Sequence, residues 1–116
     1  MTNSIALAIA ILASIEAGGR LDAVGDGGRA VGILQMWPVC VQEANRLVGK
    51  KRWTNEDRKT AKGSYEMAEI ILTSHLKRRK PPENLVELCA RWRNPSGDAP
   101  QWYKKRIEKE IERRTK

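Results

Sequence analysis

The sequence predicts a mainly α-helical single domain of 116 residues, interrupted after its first helix by a short β-hairpin or glycine-rich loop. Three observations predict it. An alanine-rich apolar stretch from Ile5 to Ala17 stops at Gly18-Gly19, glycines recur at 25, 27, 28 and 32, and from Pro38 onward apolar residues return at helical spacing. A chain this size is one domain, and 41% apolar residues with four tryptophans supply one small core.

The first element is a helix over the Ile5 to Ala17 stretch, with Thr2, Asn3 or Ser4 as N-cap and the two glycines as its stop. Being apolar on all sides, it is expected to be the buried central helix. A secretory leader is the competing reading of the same stretch. No Lys or Arg precedes the apolar residues, and cleavage near Ala17 would remove a helix the core needs, so no leader is expected. The longest uninterrupted apolar run, Ile5 to Ala13, falls well short of the roughly 20 residues that span a bilayer, so no transmembrane segment is expected.

Glu16 sits on the last turn of this helix. The negative end of the helix dipole and partial desolvation both raise a carboxylate's pKa there, which is how an acid is kept protonated for general-acid work. Alternatively, Glu16 marks the point where the helix reaches solvent.

The segment from Arg20 to Gln35 is turn-rich. Asp26-Gly27-Gly28 is hairpin chemistry, and Ala30 to Leu34 is expected as a short strand. No Lys-Ser/Thr follows the glycines, which excludes a phosphate-binding loop. Asp22 and Asp26 lie within sequence reach of Glu16, and both residue types also cap turns.

Pro38 opens a helix whose apolar face is Val39, Val41, Ala44, Leu47 and Val48, and Gly49 ends it. Trp37, just before it, either stacks on a ligand or staples the helix, with the core role favoured. Thr54 and Asp57 form a capping-box start to a short polar helix. Tyr65, Ala68, Ile71, Leu72 and Leu76 mark the buried stripe of a helix over about 64 to 79. Pro81-Pro82 opens the next, with Leu85, Val86, Leu88, Cys89 and Trp92 inward, followed by a loop from Arg93 to Gly97. A last helix over about 100 to 114 is expected to pack Trp102, Tyr103, Ile107 and Ile111 inward and to pair Lys104 with Glu108 and Arg106 with Glu110 outside.

Cys40 and Cys89 fall on core faces and are expected as free thiols, and a single histidine leaves no zinc cluster. No metal or other cofactor is called for. The formal net charge is +8, but residues 1 to 49 carry three basic and four acidic side chains, whereas residues 50 to 116 carry 19 and 10. A basic chain first suggests nucleic acid. The aromatic-basic interleaving and recognition helix that nucleic acid needs are absent, so the charge is read as a means of holding another polyanion.

The order Ile15-Glu16, Gly25-Asp26-Gly27-Gly28, Ala30 and Gly32-Ile33-Leu34-Gln35 resembles the core of the lysozyme-like superfamily of lytic transglycosylases and goose-type lysozymes. Small phage-type members are the nearest in pattern, with Val39, Val41 and Asn45, then Thr54, Asp57 and Arg58, standing in matching places. The likeness covers roughly residues 5 to 60. It implies a lysozyme-like fold and cleavage of the β-1,4 bond between N-acetylmuramic acid and N-acetylglucosamine in peptidoglycan, by a monomer made in a bacterial cytoplasm from a phage or prophage gene.

By the same resemblance Glu16 is the essential acid and then the base on the muramyl 6-hydroxyl. Asp26 stands where a goose-type hydrolase carries a water-positioning aspartate, and Asp22, Gln35, Trp37 and Asn94 are assigned to substrate. The second goose-type aspartate is absent, since Met36-Trp37 follows Gln35, and this favours transglycosylation. Asn94 matches the family's aromatic-Asn pair, but Arg93 replaces the aromatic, leaving Trp92, Trp102 or Tyr103 to meet the acid. The alternatives from other classes are a basic nucleic-acid-binding protein and a phage structural protein that keeps the fold without activity.

Overall fold

The alanine-rich stretch forms helix α1, Asn3–Ala17, in a computed structural model that describes residues 3–78, 84–94 and 98–115. Ile5, Ala8, Ile11 and Leu12 are almost fully buried, which makes α1 the axis of the core. Helices α3 (Ala61–Arg78), α4 (Leu85–Arg93) and α5 (Gln101–Thr115) pack around it, and α2 (Pro38–Val48) lies against α3. The expectation that α1 is enclosed on all sides is corrected at its start. Ser4, Ala6 and Leu7 face solvent, Leu7 by 43%, because three packed helices leave one sector of the α1 cylinder open. The chain is mainly helical, and among the described residues its only sheet is one two-stranded antiparallel hairpin.

Local signals set the helix ends. Pro38 occupies the first turn of α2, and Gly49 closes it at φ +78°, donating its N–H to the Asn45 and Arg46 carbonyls. Asn45 then ties down the basic loop that follows: its amide donates to the Trp53 carbonyl at 2.9 Å and accepts from the Arg52 and Trp53 N–H groups. The capping box at Thr54 and Asp57 is present, with the Thr54 N–H donating to Asp57 Oδ2 at 2.7 Å. It starts only a 3-10 turn, Asn55–Lys59, because Thr60 returns to extended backbone.

The hairpin is shorter than its sequence suggested. Strand β1 (Val24–Gly25) pairs with β2 (Ala30–Val31) in the register Val24 to Val31 and Gly25 to Ala30. The expected continuation to Leu34 is replaced by a tight turn, with Gly32 at φ +87° and Val31 bridging back to Met36. Ile33 and Leu34 at its tip are buried, so the apolar pair reads as strand but serves as a plug into the core. Buried Arg58 locks this turn: its Nη1 donates to the Arg29 and Met36 carbonyls at 3.0 Å each, and its Nε donates to the Asn55 carbonyl at 2.9 Å.

On α5, Tyr103 and Ile107 are buried as predicted, but Trp102 is 51% exposed and lies outside the core. The expected i,i+4 pairs are also replaced. Lys104 reaches Glu87 on α4 at 3.2 Å, Arg106 donates to the Ile15 carbonyl, and Glu110 takes Arg113 and Arg114. Arg113, with Ser14 and Arg114, pulls the Glu110 carboxyl down to about 2, and Arg114 also donates to the Ala10 carbonyl, fastening α5 to α1. For Lys104 and Arg106 inter-helix partners win because they are partly desolvated, whereas an exposed i,i+4 pair contributes only about 0.3–0.5 kcal/mol; Glu110 keeps partners on its own helix.

Cys40 and Cys89 are free thiols, and burial pushes Cys89 up to about 12. Among the described residues no helix is long and apolar enough to cross a membrane. The Thr2 cap, the Pro81-Pro82 break and the Pro95 to Gly97 loop lie outside the described residues.

Candidate active site

Glu16 stands on the last turn of α1, and the chain leaves the helix through Gly18 at φ +59° and Gly19 at φ +79°. The Gly18 N–H donates to the Ser14 carbonyl and the Gly19 N–H to the Ala13 carbonyl, which ends the helix at the mouth of a cleft. The cleft has a volume of about 340 Å³ and brings Glu16 together with Asp26, Gln35 and Trp37. Trp92 and Arg93 from α4 also line it, and Val39 and Cys40 complete the wall. Another cavity of about 360 Å³, against Leu47, Ile70 and Thr73, contains none of the predicted site residues.

The acid is built by burial. Desolvation is the largest influence on the Glu16 carboxyl and pushes it above the ordinary carboxylate range, and the Asp26 charge adds to the rise. A hydrogen bond from Tyr103 and the charges of Arg93 and Arg106 pull the other way without cancelling it. Tyr103 is 1% exposed, and its hydroxyl donates to Glu16 Oε1 at 2.5 Å. Burial, together with the adjacent Glu16, pushes the pKa of the phenol far above its usual range, so Tyr103 remains a donor. Arg106 holds the Ile15 carbonyl next to the acid. The result is an oriented carboxyl kept protonated to higher pH than an exposed one.

The rim is held by hydrogen bonds and by backbone in the left-handed region. Among the described residues Asp26 and Gln35 are the non-glycine residues with positive φ, at +50° and +49°. Strain of this kind concentrates at ligand sites, and here both strained residues line the cleft. The Gln35 amide nitrogen donates to the Ala23 and Gly32 carbonyls at 3.1 and 3.0 Å, so only its carbonyl oxygen is left for a ligand. Asp26 Oδ2 accepts from the Trp37 indole at 3.2 Å, and the Arg29 guanidinium lies 5.4 Å from the Trp37 ring centroid. The favoured core role of Trp37 is therefore corrected: its hydrogen bond and its half-buried ring place it in the cleft wall.

Two assigned residues do not join the cleft. Asp22 lies on the exposed turn after α1 and is not among the lining residues; the left-handed glycines carry that turn outward. Asn94 caps the C-terminus of α4 and stands beside the cleft without lining it. The aromatic that meets the acid is Tyr103, one of three candidates in the sequence, and Trp92 instead donates its indole N–H to the Leu34 carbonyl at 3.1 Å. Among the described residues no group of three or more His, Cys, Asp or Glu is arranged to hold a metal ion.

Comparison with protein-family models, curated proteins and solved structures finds no match for this chain. The functional reading therefore rests on the cleft and on the sequence pattern.

Removing the Tyr103 hydroxyl takes away a bond that lowers the Glu16 pKa. Tyr103→Phe is expected to move the Glu16 titration, followed by carbon-13 NMR of the carboxyl, to higher pH. A shift downward, or none, would show that the bond does not favour the carboxylate.

Proposed function

We propose that the protein cleaves peptidoglycan glycan strands at the β-1,4 bond between N-acetylmuramic acid and N-acetylglucosamine, with Glu16 as acid and base. The observation that carries this reading is a half-buried, Tyr103-oriented carboxyl with a raised pKa in an open cleft. The resemblance of the Ile15 to Gln35 pattern to lysozyme-like enzymes supports it, as does the mainly helical fold around a central helix that ends at the acid. The basic second half suits a polyanionic wall.

In this mechanism protonated Glu16 gives its proton to the glycosidic oxygen as the bond from muramyl C1 to that oxygen breaks. The departing sugar leaves with a 4-hydroxyl. The Glu16 carboxylate then takes the proton of the muramyl 6-hydroxyl while that oxygen bonds to C1, closing a 1,6-anhydro ring and restoring the acid. Transglycosylation is favoured because the position after Gln35 is Met36, fully buried, and the Asp26 carboxylate is engaged by Trp37. Hydrolysis is the second reading, favoured by the presence of Asp26 in the same cleft.

Purified, unmodified sacculi incubated with the protein are expected to lose turbidity and release soluble glycan fragments. Walls that remain insoluble at all pH values between about 4 and 8 would contradict the reading.

A further inference from the structure

Arg93 is the last residue of α4, and its exposed side chain lines the same cleft as Glu16. Its guanidinium lies 4.9 Å from the Trp102 ring centroid and 5.5 Å from that of Tyr103. The two rings meet edge to face at 87° with centroids 5.7 Å apart, forming a corner against which the flat cation rests. Stacking uses the π faces of the rings and the flat face of the guanidinium. The in-plane N–H groups stay available, and it is this edge that grips carboxylates in bidentate fashion.

The acids nearby do not consume that edge. Among the described residues Arg93 forms no ion pair, Glu16 is bonded to Tyr103 and disfavoured as an anion by burial, and Asp26 is bonded to Trp37. Arg93 thus rests on Trp102, which is otherwise an exposed tryptophan with no packing role in the core. Fixing a long side chain in advance removes the entropy cost that makes most surface arginines weak binders.

We propose that Arg93 recognises a carboxylate carried by the saccharide in the cleft. This rests on the glycan reading above. An alternating hexosamine strand is otherwise neutral, so the carboxylate is either that of the lactyl ether on the muramyl residue or one on an attached stem peptide.

Affinities are measured by calorimetry in the Glu16→Gln background, at one salt concentration, with three ligands. These are a peptide-free oligosaccharide with free lactyl carboxylates, the same oligosaccharide with each lactyl group converted to its methylamide, and the same backbone bearing stem peptides. The free-carboxylate or the peptide-bearing ligand is expected to bind about tenfold more tightly than the methylamide, the size of one charge-assisted bidentate contact. Arg93→Gln is expected to bring that ratio to about one, and Arg93→Lys to leave an intermediate value. Whichever of the two anionic ligands loses affinity identifies the source. A ratio that survives Arg93→Gln, or a wild-type ratio near one, overturns the proposal. Melting temperatures of the variants confirm that each is folded.

Sacculus digestion by protein with Glu16 intact separates the two claims. Arg93-dependent binding without cleavage supports Arg93 and overturns the glycosidase reading. Cleavage with an Arg93-independent ratio overturns the role of Arg93 alone, and no binding of any ligand overturns both.

Discussion

Glu16→Gln is expected to reduce clearing of purified cell walls by about 10² to 10⁴, the range that a positioned general acid contributes. Glutamine keeps the shape of the side chain and an oxygen to accept the Tyr103 hydroxyl, so the loss is one of proton transfer and not of fold. Stability should move in the opposite direction. Burial raises the folded-state pKa of Glu16 above the ordinary 4.5, so its ionisation weakens the folded state as pH rises through that higher value. The variant, which has no charge to bury, is expected to melt at higher temperature than wild type at neutral pH. The advantage should disappear below about pH 4.5, where the wild-type carboxyl is protonated in both states. A variant that is inactive and also less stable at neutral pH would mean that Glu16 holds the fold together and that its loss says little about chemistry.

Gly32→Ala is expected to cost about 3 to 5 kcal/mol of folding free energy, combining left-handed backbone strain with overpacking. A Cβ on Gly32 would lie 1.8 Å from the Arg58 carbonyl oxygen and 3.0 Å from its carbon, and the backbone there is at φ +87°. The oxygen cannot retreat freely, because it accepts the Ser64 hydroxyl at 3.0 Å while the Arg58 side chain is clamped to the hairpin. The control is Gly27→Ala. Gly27 also has a positive φ, +68°, but its Cβ would meet nothing within 4 Å, so only backbone strain of about 1–2 kcal/mol is expected. Thermal unfolding should show a fall for Gly32→Ala on the order of 15 °C, several times that of the control. Equal losses would show that the close approach of the turn to Arg58 does not matter. The cleft should suffer with the fold, since Gln35 hangs from the same turn through the Gly32 carbonyl.

Helix α1 and the position of Glu16 were legible because both depend on local signals: high helix propensity, a paired-glycine stop and one carboxylate before it. The hairpin's place was legible from Asp26-Gly27-Gly28, but not its length. Ile33 and Leu34 carry strand-forming apolar side chains, and only the packing of the turn against Arg58 decides that they plug the core instead. Trp102 and Tyr103 could not both face inward, because neighbours on a helix point about 100° apart. Sequence supplied no reason to choose between them; the structure buries Tyr103 against Glu16 and leaves Trp102 to Arg93. Asp22 failed for a related reason. Closeness in sequence to Glu16 becomes closeness in space only where the chain turns back, and the turn after Gly19 leads outward before the hairpin returns. Lys104, Arg106 and Glu110 were paired by helical spacing, whereas α1 and α4 supplied most of their partners across the core.

Mass spectrometry of the fragments released from purified peptidoglycan tests the central claim most directly. Transglycosylation by Glu16 predicts muramyl ends lighter by one water than reducing ends, present with wild type and absent with Glu16→Gln. Reducing ends that depend on Glu16 would keep the glycosidase and replace transglycosylation by hydrolysis. Fragments formed equally by Glu16→Gln, or no fragments from wild type, would contradict the account.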